Sequence, residues 1–398
     1  MKRQFQEAEV LDLLRDLVAL PSPYFEEEEV LAYVEEWFSN QGLEVKSHYF
    51  SEDALVGYQS RNLLIRLRGQ KEGPKILLNG HLDTVKKTQG WTKNPRGQLE
   101  GRRFYGQGAL DMKGGCVASM LALAAFYRDQ PHFRGEVLAT YVPAEEGPYG
   151  LGTHALVLED QVGQPDMVLV TEPSAAFTGQ PFPSLCLGAR GGYSLEIEVK
   201  GKAAHGANPQ LGINAIEEGA KIILALGDLD FKEDPLLGRG NLCALAMEAD
   251  GGACSIPDGA RIRFFRHTVR GETEETVRKE IQEALDKAQI RADYKVHFRQ
   301  APSPLARGFM PYAHEAGDPR IQDFIGQVKK TTGQDPSLSY FQSMGDFNYF
   351  GALFQAPTLL FGPQGGGYHG PDEYVDLDSL VATSQVLYDY LVRVLVED

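Results

Sequence analysis

Cysteine is scarce in this 398-residue chain and is never clustered. The cysteines, Cys116, Cys186, Cys243 and Cys254, are far apart and form no CxxC pair, which excludes a cysteine-rich zinc module. Isolated cysteines favour reduced thiols and therefore a cytoplasmic location. The first residues, "MKRQFQEAEVLDLLRDL", contain no apolar core of a signal peptide, which agrees with that expectation.

Long apolar runs and an excess of positive charge are also missing. The longest apolar stretch, Val117–Phe126, is far shorter than the roughly 20 residues of a membrane-spanning helix. A formal net charge of −16 argues against a nucleic-acid partner and against an anionic membrane surface. What is present, 42% apolar and 24% charged residues, is ordinary for a globular protein of two or three domains.

The sequence pattern predicts two kinds of domain. In residues 1–187 and 301–398, short apolar runs alternate with amphipathic helical patterns, which indicates a mostly parallel sheet flanked by helices. In residues 188–300 the predicted order is β-α-β-β-α-β, with strands that alternate polar and apolar residues, as in a ferredoxin-like domain. We therefore expect an α/β protein in which the smaller domain is inserted into the larger one.

Side chains that bind metals follow the apolar runs of the larger domain. "KILLNG" precedes His81 and Asp83, "EVLATYVPA" precedes Glu145 and Glu146, "DMVLVT" precedes Glu172, and "APTLLFGP" with a glycine-rich loop precedes His369. A further carboxylate, Asp111, lies in "GQGALDMKGG", before a predicted helix. In an open α/β sheet, ligands bind beyond the carboxyl ends of the strands, so these side chains are expected to converge.

A convergent set of this kind predicts a metal centre. Many carboxylates in one place repel one another and lose hydration unless a cation is bound. Imidazole and carboxylate ligands without sulfur suit Zn²⁺, Co²⁺ or Mn²⁺, and the set is large enough for two ions bridged by one carboxylate. Taken alone, a histidine after a strand or a Glu-Glu pair is usually an ordinary surface residue. The agreement of four strand ends favours the metal.

The chain resembles the co-catalytic metallopeptidase family of acetylornithine deacetylase, succinyl-diaminopimelate desuccinylase, aminoacylase and glutamate carboxypeptidase. The resemblance rests on "NGHLDTV", "GQGALDMKGG", "PAEEG", "VTEPS", "KGKAAHGANPQLGINAI" and "HGPDEYV", which occur in the family's order over almost the whole chain. It implies a zinc-peptidase-like catalytic domain and an inserted domain that acts as a lid and a dimerisation surface. It also implies two divalent ions, most readily zinc, with cobalt or manganese as alternatives.

The resemblance assigns a role to each candidate residue by its position in these motifs. Asp111 is the bridging carboxylate, and Asp83 hydrogen-bonds His81 from behind. Glu145 is the general base. The ligands of one ion are completed by His81 and Glu172, and those of the other by Glu146 and His369. His205 corresponds to a histidine that reaches a neighbouring subunit's active site and stabilises the oxyanion, which implies a homodimer formed through the inserted domain.

The function expected from this resemblance is hydrolysis of the amide bond of small N-acylated amino acids. One alternative is a carboxypeptidase or dipeptidase with the same metal centre, and another is a non-catalytic amino-acid or peptide-binding relative, against which the intact Glu145 argues. The substrate-binding positions depart from the family's pattern, because Phe265-Arg266-His267 replaces the family's Asp-x-Arg, and Cys254 stands near an expected asparagine. The usual carboxylate clamp is therefore absent, shifted to Arg266, or replaced by His267.

Overall fold

The computed structural model describes residues 3–397, which divide into two compact units. Unit 2 is Arg190–Tyr312, and unit 1 contains the chain up to Ala189 and again from Ala313. The predicted outer limits of the larger domain, residues 1 and 398, lie outside the described residues.

The helices, in chain order, are α1 (Glu7–Ala19), α2 (Glu28–Asn40), α3 (Gly114–Asp129), α4 (Leu151–Leu158), α5 (Ser174–Thr178), α6 (Ala215–Gly227), α7 (Glu274–Lys287), α8 (Pro319–Thr332), α9 (Phe347–Leu353) and α10 (Leu377–Leu395). The strands are β1 (Val45–Glu52), β2 (Tyr58–Arg68), β3 (Lys71–His81), β4 (Gln98–Glu100), β5 (Arg103–Tyr105), β6 (Arg134–Val142), β7 (Met167–Val170), β8 (Ser184–Ala189), β9 (Gly191–Lys200), β10 (Glu233–Asp234), β11 (Gly238–Arg239), β12 (Asn241–Glu248), β13 (Gly259–Thr268), β14 (Asp293–Phe298), β15 (Tyr312–Ala313), β16 (Ser337–Phe341), β17 (Thr358–Leu360), β18 (Gly365–Gly366) and β19 (Tyr374–Asp376). Short helical turns lie at Ala109–Lys113, Pro209–Leu211 and Pro304–Ala306.

The middle of the large sheet in unit 1 is parallel. Its strand order runs β1-β2-β6-β3-β7-β17-β8, and β3 pairs in parallel with β6 and β7, while β7 pairs in parallel with β17. His81 at the end of β3 is in register with Val142 at the end of β6. The predicted α/β fold with a mostly parallel sheet flanked by helices is thus confirmed, and the strand ends that carry the candidate ligands share one edge.

Helix α3 forms the centre of unit 1. Every residue from Gly114 to Phe126 is buried, as expected for a helix that is apolar on all sides. Together with the preceding turn it forms the segment Ala109–Asp129, whose 21 residues are long and apolar enough to span a membrane, yet its apolar part is buried inside the protein and only the last residues, from Tyr127 on, are exposed. The apolar stretch Val117–Phe126 is shorter than this segment, because the helix already begins at Gly114 and includes the small residues before Val117.

Local signals fix the helix ends, as α8 illustrates. The side chain of Asp318 accepts a hydrogen bond from the backbone N–H of Arg320, and Pro319 occupies the first helical position. The helix ends at Gly333, whose φ of +76° is readily adopted only by glycine.

A small second sheet in unit 1 joins two loops that matter for the site. Its strand order is β18-β19-β5-β4. The loop between β18 and β19 carries His369, and β5 leads into the loop that carries Asp111. These strands are too short for sequence periodicity to predict, since each has only two or three residues.

Unit 2 consists of an antiparallel sheet of order β12-β13-β9-β14 and the helices α6 and α7. Its core contains Ile197, Ile222, Ile262 and Ile281 from these elements. The strands and helices follow the predicted β-α-β-β-α-β order, with β10 and β11 as unpredicted additions. The unit extends to Tyr312 rather than to residue 300, because Gly192 and Phe309 exchange backbone hydrogen bonds of 2.9 and 3.1 Å.

Candidate metal centre

The candidate ligands of unit 1 meet around Asp111. One of its carboxylate oxygens, Oδ1, lies 3.3 Å from Nε2 of His81, and the other, Oδ2, lies 3.3 Å from Nε2 of His369. Nε2 of His81 is also 3.5 Å from Oε1 of Glu172, and Nε2 of His369 is 2.9 Å from Oε1 of Glu146. The five side chains predicted as ligands are therefore in one cluster.

The cluster contains two groups of ligand-type atoms that share one residue. His81, Asp111 and Glu172 form the first group, and Asp111, Glu146 and His369 form the second, with ligand atoms within 4.8 Å of one another in each. A third group of the same kind joins His81 to Glu145 and Glu146. Because the two oxygens of Asp111 face different histidines, the geometry is that of a carboxylate placed to bridge two cations.

The donor set fits divalent metal ions. His81, Glu172 and Asp111 have side chains only 1, 2 and 5% exposed, so their charges cannot be solvated by water. Oε2 of Glu172 is buried and has no hydrogen-bond partner among the residues that the structure describes. A buried carboxylate oxygen without a donor is satisfied when it binds a cation. His369, 49% exposed, is the most accessible of the five.

The electrostatics of the cluster show the same need for positive charge. Burial raises the pKa of Glu172 well above its ordinary value, and repulsion from Asp111 acts in the same direction. Burial opposes ionisation of Asp111 as well, but hydrogen bonds from His369 and His81 outweigh it and lower the pKa of Asp111. Hydrogen bonds to Asp111 and Glu146 raise the pKa of His369 to about 10. The carboxylates around the two imidazoles thus favour positive charge at the positions where metal cations would bind.

Asp83 fixes the Glu145-Glu146 pair rather than acting on His81 alone. Its Oδ1 and Oδ2 accept hydrogen bonds from the backbone N–H groups of Glu145 and Glu146, at 3.1 and 2.8 Å. Nδ1 of His81 lies 3.0 Å from the backbone oxygen of Asp83 and 3.5 Å from its Oδ1. The backbone oxygen of Asp83 therefore orients the imidazole of His81, while its buried carboxylate holds the loop after β6 that carries Glu145 and Glu146.

Glu145 lies beside the cluster and next to a second acidic loop. Its Oε1 accepts a hydrogen bond of 3.1 Å from the backbone N–H of Asp346. Burial raises the pKa of Glu145 well above its ordinary value, and the carboxyl groups of Asp346 and Glu146 contribute in the same direction. A carboxylate with a raised pKa next to candidate metal ligands is suited to accept and return a proton.

Two buried glutamates that sequence reasoning missed hold the ligand loops. Glu373, four residues after His369, accepts hydrogen bonds from the backbone N–H groups of Gly108, Leu110 and Asp111 at 2.8 to 2.9 Å. Glu27 accepts hydrogen bonds from the hydroxyl of Tyr58 at 2.7 Å and from the backbone N–H of Ala144 at 3.1 Å. Glu373 lies in the "HGPDEYV" motif, whereas Glu27 lies in a run of four glutamates, a pattern that is typical of a solvated helix face.

The contact between α3 and the end of β7 depends on a glycine. A Cβ on Gly115 would overlap the backbone oxygen of Thr171, the residue before Glu172. Only glycine therefore lets the start of α3, just after Asp111, pack directly against the backbone that precedes Glu172.

One of the alternatives for the carboxylate clamp is wrong. Arg266 is fully buried in unit 2, where its guanidinium pairs with Glu272 and lies 3.1 Å from Oε2 of Glu280. A buried arginine that is paired with two carboxylates is not available for a substrate. Nδ1 of His267 lies 2.9 Å from Oδ1 of Asn241, and burial lowers the pKa of His267 to about 4. His267 is thus neutral at neutral pH, and its role stays a prediction.

His205 belongs to none of the three groups of ligand atoms found among the described residues. It is exposed in unit 2, forms an isolated bridge with Ser255, and its Nδ1 accepts a hydrogen bond from the backbone N–H of Ala207 at 3.1 Å. That hydrogen bond orients the ring and leaves Nε2 as the proton-bearing nitrogen.

Comparison with known proteins identifies the family. The pattern of Peptidase family M20/M25/M40 matches residues 77–393, which include every candidate ligand. The chain is 30% identical over 389 residues to the succinyl-diaminopimelate desuccinylase of Methylorubrum extorquens, covering 94% of this chain and 96% of that protein. The succinyl-diaminopimelate desuccinylase of Rhizorhabdus wittichii is 29% identical over 392 residues, covering 96% and 97%.

Solved structures share the fold at low sequence identity. A tripeptidase from Staphylococcus aureus superposes with a TM-score of 0.80 at 18% identity, covering 98% of this chain and 99% of the other. An M20 family metallo-carboxypeptidase from Sulfolobus solfataricus gives a TM-score of 0.77 at 18% identity, covering 96% and 98%. The relationship predicted from the six motifs is confirmed: the chain belongs to Peptidase family M20/M25/M40 and is a metal-dependent amidohydrolase.

Proposed function

We propose that this protein hydrolyses the amide bond of N-acylated amino acids, in the manner of acetylornithine deacetylase and succinyl-diaminopimelate desuccinylase. The observation that carries the proposal is the position of Asp111, whose two oxygens face the separate histidines His81 and His369. The names of the sequence relatives support the N-acyl amino acid as substrate, since the chain matches them over nearly its whole length.

We propose that the resident ions are zinc, with cobalt or manganese able to replace it. His81, Asp111 and Glu172 would hold one ion, and Asp111, Glu146 and His369 would hold the other. The donors are imidazole nitrogens and carboxylate oxygens, which all three metals accept. A bound pair supplies a Lewis acid for the scissile carbonyl and lowers the pKa of the attacking water.

The chain's own residues then handle the proton. Glu145 takes a proton from the attacking water on a carboxylate oxygen and later delivers it to the departing amine nitrogen. The hydrogen bond from the Asp346 backbone N–H to Oε1 of Glu145 fixes the orientation of this carboxylate. Asp83, through the N–H groups of Glu145 and Glu146, keeps the base beside its neighbouring ligand.

Metal removal and return tests the proposal. The purified protein is stripped with a chelator, reloaded with Zn²⁺, Co²⁺ or Mn²⁺, and assayed on N-acetyl and N-succinyl amino acids and on dipeptides. We expect activity to vanish and to return with the metal, and N-acyl amino acids to be cleaved faster than dipeptides. Faster cleavage of dipeptides would instead make the protein a peptidase with the same centre, and metal-dependent binding without turnover would make it a binding protein.

We further propose a homodimer formed through unit 2, in which His205 donates a hydrogen bond to the oxyanion in the partner's site, and a cytoplasmic location. The exposed position of His205 and its oriented ring support the first proposal, and the free state of all four cysteines supports the second. Solution scattering should give a dimer, and His205→Ala should lower kcat with little effect on metal content. A monomer with full activity would contradict the role of His205.

A further inference from the structure

A row of aromatic side chains lies beside the metal centre in unit 1. Phe341 stacks on Phe177 with ring centroids 4.5 Å apart and planes 14° apart. Phe341 also lies 6.3 Å from the ring of Phe347, and Phe177 lies 5.3 Å from the ring of Tyr368. We call Phe347, Phe341, Phe177 and Tyr368 the aromatic row.

Both ends of the aromatic row reach residues of the candidate centre. Tyr368 precedes the candidate ligand His369, and their ring centroids are 5.7 Å apart. At the other end, Phe347 and Glu145 flank the same glycine: a Cβ on Gly345 would overlap the Phe347 ring and lie 2.9 Å from Oε1 of Glu145. The row therefore extends from the proposed base to a proposed ligand.

The row is not an enclosed part of the core. Phe347 is buried and anchors it, whereas Phe177 and Phe341 are only half-buried and Tyr368 is 37% exposed. Apolar surface that remains accessible beside a cluster of polar reactive groups is typical of the part of a site that selects its ligand.

We propose that the aromatic row is the specificity subsite of this enzyme and binds an aromatic or bulky apolar group adjacent to the scissile amide. The inference rests on the proposed function. A substrate whose carbonyl lies at the metal centre places its neighbouring substituent within reach of the row, because the row begins at Tyr368 and ends beside Glu145. A ring or branched chain there gains stacking and loses contact with water.

The same surface disfavours the charged side chain of diaminopimelate. An ammonium group alone is attracted to ring faces, but the carboxylate that accompanies it is repelled by them and loses its hydration. The substrate class of this enzyme would therefore be N-acyl derivatives with an apolar ring or branched group, which differs from the substrate named for the desuccinylases.

A substrate series tests the subsite with the zinc-loaded enzyme. On the amine side it compares N-succinyl and N-acetyl derivatives of phenylalanine, leucine, lysine and diaminopimelate, and on the acyl side it compares benzoyl-alanine with acetyl-alanine. We expect kcat/KM to be at least about tenfold higher for the ring-bearing member on one side of the amide. Equal rates, or a preference for diaminopimelate, would overturn the subsite while leaving the proposed hydrolysis intact.

Variants link any such preference to the row. Phe341→Ala and Phe177→Ala should each lower the preference for the ring, measured as the ratio of kcat/KM for the ring-bearing substrate to kcat/KM for acetyl-alanine, by about threefold to tenfold. Phe341→Leu removes the ring but keeps apolar volume, in case the alanine variant fails to fold. Phe354→Ala is the matched control, because Phe354 is half-buried in the same unit and stacks on Phe350 at 5.7 Å. An equal loss of preference in Phe354→Ala would contradict the subsite.

Binding separates the subsite from the chemistry. Calorimetry with metal-loaded Glu145→Gln protein compares N-acetyl-phenylalanine with N-acetyl-lysine, with and without Phe341→Leu. The subsite is supported if the phenylalanine derivative binds more tightly than the lysine derivative and if Phe341→Leu abolishes this difference. This result would hold even if the wild-type enzyme hydrolysed no substrate, and then only the proposed function would fail. No difference in binding would refute the subsite.

Discussion

Replacing Glu145 with glutamine should separate chemistry from metal binding and from folding. In the Glu145→Gln variant, the oxygen of the new side-chain amide can still accept the hydrogen bond of 3.1 Å from the Asp346 backbone N–H. Glu145 belongs to neither of the two groups that share Asp111, so both proposed ion positions keep their ligands. What the variant loses is the ability to take a proton from water.

The expected loss of rate is at least about a hundredfold in kcat/KM, the lower range for a general base. That factor corresponds to about 2.7 kcal/mol in the activation free energy. The metal-free protein should become more stable, because burial and the neighbouring carboxyls raise the pKa of Glu145 above its ordinary value of 4.5. Ionising it then costs free energy that is absent below that ordinary pKa and grows as the pH rises.

The assay therefore has three readouts: kcat/KM on the best substrate, metal content by mass spectrometry, and the melting temperature of the chelated protein at about pH 5 and about pH 8. The stabilisation should be larger at the higher pH. Glu29→Gln makes the same chemical change at an exposed position and should alter none of them. A variant that keeps its metal and retains more than about a tenth of wild-type activity would refute the role of Glu145.

Three further variants test the supporting contacts. In Asp83→Asn one side-chain oxygen can still accept a backbone N–H of Glu145 or Glu146, but the new NH2 group faces the other N–H and cannot accept it. The loop that carries the base should shift, and kcat/KM should fall by about tenfold to a hundredfold. Unchanged kinetics would contradict this role of Asp83. Glu373→Ala leaves three buried N–H groups without an acceptor and should destabilise the zinc-loaded protein by about 3 kcal/mol or more in urea unfolding, and a loss below about 1 kcal/mol would show that water replaces the carboxylate. Burial lowers the pKa of His314 from 6.5 to about 4, and its Nε2 accepts the N–H of Thr358. The neutral His314 ring stabilises the folded state fully above pH 6.5, and this stabilisation is lost as the pH falls towards about 4. The loss is about 1.4 kcal/mol per pH unit, which partial exposure of the ring reduces to about 2 to 3 kcal/mol over the whole window. His314→Gln should flatten the plot of unfolding free energy against pH between about pH 6.5 and 4. An unchanged slope would show that His314 is not the group responsible.

The sequence was sufficient to find four of the five candidate ligands because each of them follows a predicted strand, whereas Asp111 was found in a loop before a predicted helix. His81, Glu146 and Glu172 come at or soon after the ends of buried strands, and parallel neighbouring strands end at one edge. His369 was found in the same way, although a longer loop separates it from β17. Short motifs then identified the family, since their letters are contiguous and need no tertiary information.

The contacts that hold these candidate ligands could not be predicted in the same way. Glu373 and Glu27 bind backbone N–H groups, which every residue except proline possesses, so their partners leave no mark in the sequence. Arg266 had the chemistry of a substrate clamp, but only the packing of unit 2 placed it in full burial between Glu272 and Glu280.

The sequence by itself thus determined the α/β architecture, the family and the set of candidate metal-binding side chains, because periodicity and contiguous motifs are local properties. The tertiary structure alone decided which carboxylates support these side chains, which arginine is unavailable to a substrate, and that rings from distant segments form the aromatic row. The physical reason is that contacts between segments far apart in the chain depend on how closely the backbones pack. That closeness is set by the whole fold and by no single stretch of residues.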